Sequence, residues 1–116
     1  MVTGNDILDK KAFDNFQELM GPNLRIVLLQ HMEVAQKYLN TINEALEKSD
    51  FEAMCDAAHP LNSSSRQIGA FQVADIAEGI ENLSKSSAPN IKILEDLIFK
   101  LQSAQTMFDK YIRATY

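Results

Sequence analysis

The sequence predicts an all-α protein: an antiparallel (up-down) four-helix bundle with an additional short N-terminal helix, in a single domain over residues 1–116. Two observations predict it. Apolar residues recur at intervals of three and four nearly throughout, which is the period of a helix face and of no strand. Only three prolines and four glycines interrupt the pattern, and the breaks between periodic stretches are short, as antiparallel neighbours require.

The first helix is predicted over about 9–20, with Phe13, Phe16, Leu19 and Met20 on one face. Gly21 ends it, and Pro22 sits where a first-turn proline is harmless. The second helix, about 22–48, carries the stripe Leu24, Leu28, Met32, Ala35, Leu39, Ile42 and Leu46, with Val27, His31 and Tyr38 beside it. Ser49-Asp50-Phe51-Glu52 reads as a capping box, in which Ser49 bonds the Glu52 amide and the Glu52 side chain reaches back. It opens a third helix over about 50–67, and Gly69 breaks the pattern. The fourth, about 70–85, buries Val73, Ile76, Ala77, Ile80 and Leu83. A turn through Pro89 leads to the fifth, about 90–114, with Ile91, Leu94, Ile98, Leu101, Ala104, Phe108 and Tyr111 facing inward. The methionines and the remaining aromatic residues fit as packing residues of the bundle. The N-terminal helix is expected to cap one end.

Bulk composition excludes several classes. Hydrophobic residues make up 46% and charged residues 23%, an ordinary globular mix long enough to bury a core. A net charge of −5 argues against a nucleic-acid partner, which needs clustered Lys and Arg. Cys55 is the only cysteine, so no internal disulfide can form and a reducing, cytoplasmic setting is expected. Met1–Asp6 is polar, without the apolar core of a secretory signal, and no apolar run approaches the ~20 residues that span a bilayer, so no membrane association is expected. There is no Gly-rich phosphate loop and hence no sign of a nucleotide site. Cys55 and His59 are four apart, but two ligands alone do not make a zinc site, and no metal is expected.

The chemistry points to the third helix. At about 100° per residue, Met54, Ala58, Leu61, Ser65 and Ile68 share one face, which must turn inward. His59 points nearly the opposite way, on a face with Cys55, Asn62, Ser63 and Arg66. From Ala57 to Ala74 the only formal charge is Arg66, so the stretch around this histidine is free of carboxylates that would repel an incoming anion. His31, beside an apolar stripe, is expected to be a packed or boundary histidine.

The segment Ala58-His59-Pro60-Leu61-Asn62-Ser63-Ser64-Ser65, with Gly69-Ala70 in step, resembles the signature of histidine-containing phosphotransfer (HPt) domains: roughly Ala-His-x-Leu-Lys-Gly-Ser-Ser followed by a Gly-Ala helix start. The order and approximate length of the helices also agree, so the resemblance covers most of the chain. It implies that His59 is phosphorylated at Nε2. Glu81 would bond Nδ1–H and fix the tautomer, Ser63 would be the small residue that lets a partner approach, and Asn62, Ser63, Arg66 and Lys85 would contact phosphate or receiver. It also implies receiver domains as partners, one in a hybrid sensor kinase and one in a response regulator. No cofactor is implied, since Mg²⁺ belongs to the partner receiver alone. Without ATP-binding machinery the chain is expected to be a phosphocarrier, not an enzyme, and by default a monomer.

Two residues depart from the family pattern. Asn62 stands where a lysine is usual, three residues after the histidine, and lacks its charge; Arg66 or Lys85 could compensate. Pro60 removes the helix bond to the Asp56 carbonyl, at a cost of about 3 kcal/mol, and is expected to kink the helix without ending it. Two rival readings remain: an HPt-like module that docks a receiver without efficient transfer, and a structural bundle with no signalling role.

Overall fold

The computed structural model describes residues 7–116, which form helices and no strand; the polar Met1–Asp6 stretch lies outside the described residues. Helix α1 spans Lys10–Met20, followed by a single 3₁₀ turn, Gly21–Asn23. Then come α2 (Leu24–Lys48), α3 (Phe51–Gln67), α4 (Phe71–Ser84) and α5 (Ile91–Thr115). The expected helices are therefore present with ends within two residues of those read from the sequence. No helix among the described residues is long and apolar enough to cross a membrane.

Each of α2–α5 packs on its chain neighbour, and α2 closes the ring on α5, giving the up-down order. α3 and α4 form the most extensive pair. The core runs the length of the bundle through Leu28, Leu39, Ile42, Met54, Leu61, Ile80, Leu94, Leu101 and Phe108, all fully buried. The inner helices α3 and α4 have 17 and 14 residues, whereas α2 and α5 have 25 each. At about 3.6 residues per turn the outer pair is about two to three turns longer than the inner pair, and extends beyond it at one end. α1 fills that step, contacting α2 and α3. Its Phe13 is buried and meets the Tyr116 ring at 5.4 Å between centroids.

The polar ends of the helices are satisfied locally. Asp9 accepts from the Ala12 amide at 3.0 Å, Asp50 from Ala53 at 3.1 Å, and Asn90 from Ile93 at 3.1 Å. These side chains meet amides that have no partner inside their helices. The expected capping box needs correction here. Ser49 does not cap α3; it takes a left-handed conformation, φ 52°, and closes α2, while its neighbour Asp50 is the cap. A connection this short needs one residue to end a helix and the next to start another. Pro22 similarly falls in the 3₁₀ turn, and α2 begins at Leu24.

Three apolar expectations also fail. Leu19 is 77% exposed, because α1 meets the bundle through Phe13, Phe16 and Met20 and Leu19 lies off the far edge of that stripe. Phe99, 72% exposed, stands on the outer side of α5 between the buried Ile98 and Leu101 and is no packing residue. Ile91 is exposed on the first turn of α5, before the helix reaches the core.

The α3–α4 turn is the tightest constraint. Gly69 adopts φ +84°, and a Cβ there would stand 2.9 Å from the Asp9 carbonyl oxygen and 3.1 Å from the Phe13 nitrogen. Its own carbonyl accepts from the Asp9 amide at 2.7 Å. The turn thus joins α3, α4 and the start of α1 at one point. Gly79, by contrast, lies mid-α4, where an added methyl would meet only Leu97 Cδ1, at the ordinary contact distance of 3.7 Å. Urea unfolding should separate the two. Gly69→Ala is expected to lower stability by about 2 kcal/mol or more, through left-handed strain and the backbone clash. Gly79→Ala is expected to raise it by about 1 kcal/mol, the helix-propensity difference. Equal effects of the two changes would contradict this account of the turn.

Candidate functional site

Helix α3 places its residues as the wheel requires. Met54, Ala58, Leu61, Ser65 and Ile68 are buried. The His59 side chain is 66% exposed on the opposite side, Ser63 is exposed, and Cys55, Asn62 and Arg66 are half-buried. The helix continues through Pro60 to Gln67. Asp56, whose carbonyl loses its amide partner to the proline, is an exposed residue, so water can take that bond.

Antiparallel packing of α4 on α3 brings Glu81 beneath the imidazole. His59 Nδ1 lies 2.8 Å from Glu81 Oε2, in a charge-assisted bond within the usual range for a donating imidazole. Lys85 Nζ donates to the same oxygen at 3.3 Å. Glu81 itself is only 7% exposed. Burial pushes its carboxyl toward higher pKa, but the hydrogen bonds and charges of His59 and Lys85 outweigh burial and hold it below the ordinary carboxylate value. An ionised Glu81 accepts only, so Nδ1 must carry the proton, and the Nε2 lone pair is left free on an exposed ring.

Arg66 is arranged differently from expectation. Its Nε and Nη2 donate to Asn62 Oδ1 at 3.2 and 3.0 Å, and Nη2 also reaches Asp75 Oδ1 at 3.0 Å and Glu78 Oε2 at 3.1 Å. The guanidinium lies 5.9 Å over the Phe71 ring. Its charge is already neutralised by two carboxylates, so it is not a free counter-charge for phosphate. The carboxylate-free surroundings read from the sequence hold only along Ala57–Ala74; Asp56 stands three residues before His59 on α3, and across the helix pair α4 presents Asp75, Glu78 and Glu81. The signal was present, as these acids recur every three residues along one edge of α4, but it acquires meaning only once α4 is set antiparallel to α3.

The second histidine is of another kind. His31 is half-buried, its Nε2 has no hydrogen-bond partner, and its ring meets Phe108 edge-on at 5.7 Å. Burial pushes its pKa down to about 4. It is a packed histidine. Among the described residues no three His, Cys, Asp or Glu side chains are grouped to hold a metal ion.

With this geometry in place, comparison with known proteins is decisive: the Hpt domain family model matches residues 27–109. The chain belongs to the Hpt domain family. The histidine-containing phosphotransfer protein B (HptB) from Pseudomonas aeruginosa PAO1 has a similar crystal structure, with a TM-score of 0.74 at 19% sequence identity over 95% of this chain and 97% of that one, and so shares the fold. No curated protein matches the chain. Hpt domains are phosphocarrier modules in two-component phosphorelays, not kinases; membership of the family supports a histidine phosphotransfer role for this chain and implies receiver domains as the partner class.

Two measurements check the site. Glu81→Gln keeps the size of the side chain but removes the charge that holds Nδ1–H. It should leave the helical circular-dichroism signal intact and slow phosphorylation of the domain by about tenfold or more, the loss of one charge-assisted bond; an unchanged rate would remove Glu81 from the site. For His31, the folded pKa lies below the ordinary 6.5, so between pH 6.5 and about 4 the unfolded chain binds a proton that the folded chain refuses. The neutral ring's contribution is complete above pH 6.5 and is lost as pH falls to about 4, by at most about 3 kcal/mol. Over that window the wild type should lose more stability than His31→Gln, measured by thermal or urea unfolding.

Proposed function

We propose that His59 takes a phosphoryl group from the aspartyl phosphate of one receiver domain, as in a hybrid sensor kinase, and passes it to the receiver aspartate of a response regulator. The observation that carries this reading is an exposed imidazole whose Nδ1 is tied to a buried, ionised carboxylate. Nε2 attacks the phosphorus in line. The N–P bond forms as the P–O bond to the aspartate breaks, and the aspartate leaves as a carboxylate. Nδ1–H stays on the ring throughout, and the positive charge that develops on the imidazole faces Glu81. That charge stabilisation, together with positioning of the ring, is what Glu81 contributes to the step.

The domain supplies no metal in this reading, and Mg²⁺ resides in the partner receiver. The carboxylates near His59 support that assignment, since Asp75, Glu78 and Glu81 are already engaged by Arg66, His59 and Lys85. Ser63, one turn after His59 and small, leaves room for the receiver's active-site pocket above the ring. The engaged Arg66 and the neutral Asn62 favour one rival, a module that docks a receiver without efficient transfer.

Incubation with a receiver bearing radiolabelled phosphate separates the two. The carrier is expected to acquire an acid-labile, base-stable label that His59→Gln cannot take, and to pass it on to a second, unphosphorylated receiver. Receiver binding without label on His59 would support the docking module and overturn the carrier.

A further inference from the structure

The arrangement of Asn62 and Arg66 has one chemical constraint that does not depend on how the amide is drawn. A guanidinium only donates hydrogen bonds. Two of its nitrogens meet the end of the Asn62 side chain at 3.2 and 3.0 Å, so that end must be the oxygen. The amide nitrogen Nδ2, with its two protons, is therefore turned away from Arg66. Arg66 lies one turn beyond Asn62, and His59 lies one turn before it, where side chains three apart on a helix are neighbours. The donor end of Asn62 is thus left unused by Arg66, on a side chain that shares a helix face with the reactive ring one turn away.

Arg66 cannot easily serve two roles. It is held from the far side by Asp75 and Glu78 of α4, and its plane lies over Phe71. Turning it toward a phosphoryl group on His59 would abandon two ion pairs and release the Asn62 amide.

We propose that Asn62 Nδ2 is the hydrogen-bond donor to the phosphoryl oxygens on His59, and that Arg66 is a positioning residue acting only through Asn62, anchored by Asp75 and Glu78. This deepens the reading of His59 as the phosphate acceptor and rests on it. No covalent bond changes at either residue: Asn62 donates to phosphoryl oxygens while the N–P bond forms at His59. The donor stands at the position of the usual lysine, three residues after His59, without its charge.

The test uses phosphoramidate, a small donor that bypasses any receiver, on the wild type and on Asn62→Leu, Arg66→Met and the double variant. On phosphorylation of the ¹⁵N-labelled wild type, the Asn62 side-chain NH₂ signals are expected to shift. Each single variant should be phosphorylated about two- to tenfold more slowly, the range of one lost hydrogen bond, and the double variant no more slowly than Asn62→Leu alone. Arg66→Lys, which can still donate to Oδ1, should recover part of the rate. Losses that multiply in the double variant would show Arg66 acting on phosphate directly and overturn the proposal, as would unmoved Asn62 NH₂ signals in a phosphorylated wild type. Failure of phosphoramidate to label wild-type His59 at all would be a different result, overturning the acceptor reading itself.

Discussion

The site depends on one hydrogen bond, from His59 Nδ1 to Glu81 Oε2, made across two helices. Its 2.8 Å length therefore depends on the register of α3 against α4 as much as on either side chain. Both helices bury small residues, Ala57, Ala58 and Ser65 on one and Ala74 and Ala77 on the other. Such residues let two backbones approach closely, and α3 and α4 are the most extensively packed pair in the bundle. The register is set at the turn. Ala70 N–H returns to the Ser65 carbonyl at 2.9 Å, and Gly69 lets the chain reverse in a left-handed conformation while α1 presses on it. The geometry of the chemistry is in this sense a consequence of a backbone turn well along the chain from His59.

A buried carboxylate is normally a liability, since desolvation favours its protonated form. A protonated Glu81 could donate to Nδ1 and would then drive the proton to Nε2, occupying the lone pair that the proposed transfer uses. Two donors prevent this. Lys85 reaches the same oxygen as His59, so the ionised state is held even where the imidazole is neutral. Lys85 thus matters first as the partner of Glu81, whatever it contributes to phosphate. The neighbouring Arg66 cluster repeats the motif of cross-helix pairing, with α3 supplying the donor and α4 the acids. Side by side the two clusters clamp the edge of α3–α4, and exposed pairs such as those of Arg66 contribute more to orientation than to stability.

Most of the fold was legible because its signal is periodic. Helix existence followed from apolar spacing, and His59 was legible because its neighbours Ala58, Leu61, Ser65 and Ile68 had to face inward. Glu81 was identified by resemblance and found in contact. What escaped depended on which of two adequate residues took a role, or on facing elements. Ser49 and Asp50 are both good caps, and only the length of the connection decides between them. Leu19 and Phe99 are apolar residues that period alone cannot assign, because α1 presents a narrow contact and α5 has an uncovered outer side. Arg66 looked free because its partners Asp75 and Glu78 lie 9 and 12 residues on, beyond any pattern confined to one helix.

With His59 as acceptor and Asn62 as the proposed hydrogen-bond donor to the phosphoryl oxygens, the balance between orientation and charge accounts for the departure at residue 62. A carrier has to give its phosphoryl group up as readily as it takes it, so the phosphorylated state cannot be held tightly. A lysine three residues after the histidine would add a charge-assisted bond, roughly twice as strong as a neutral one, to the phosphorylated form alone. An amide held by Arg66 gives the same direction without that bias. The positive charge of Arg66 is neutralised on α4, so in the proposed arrangement it reaches His59 only as geometry. On this proposal the arrangement favours passage of phosphate over retention, and it follows from where Asp75 and Glu78 stand on α4.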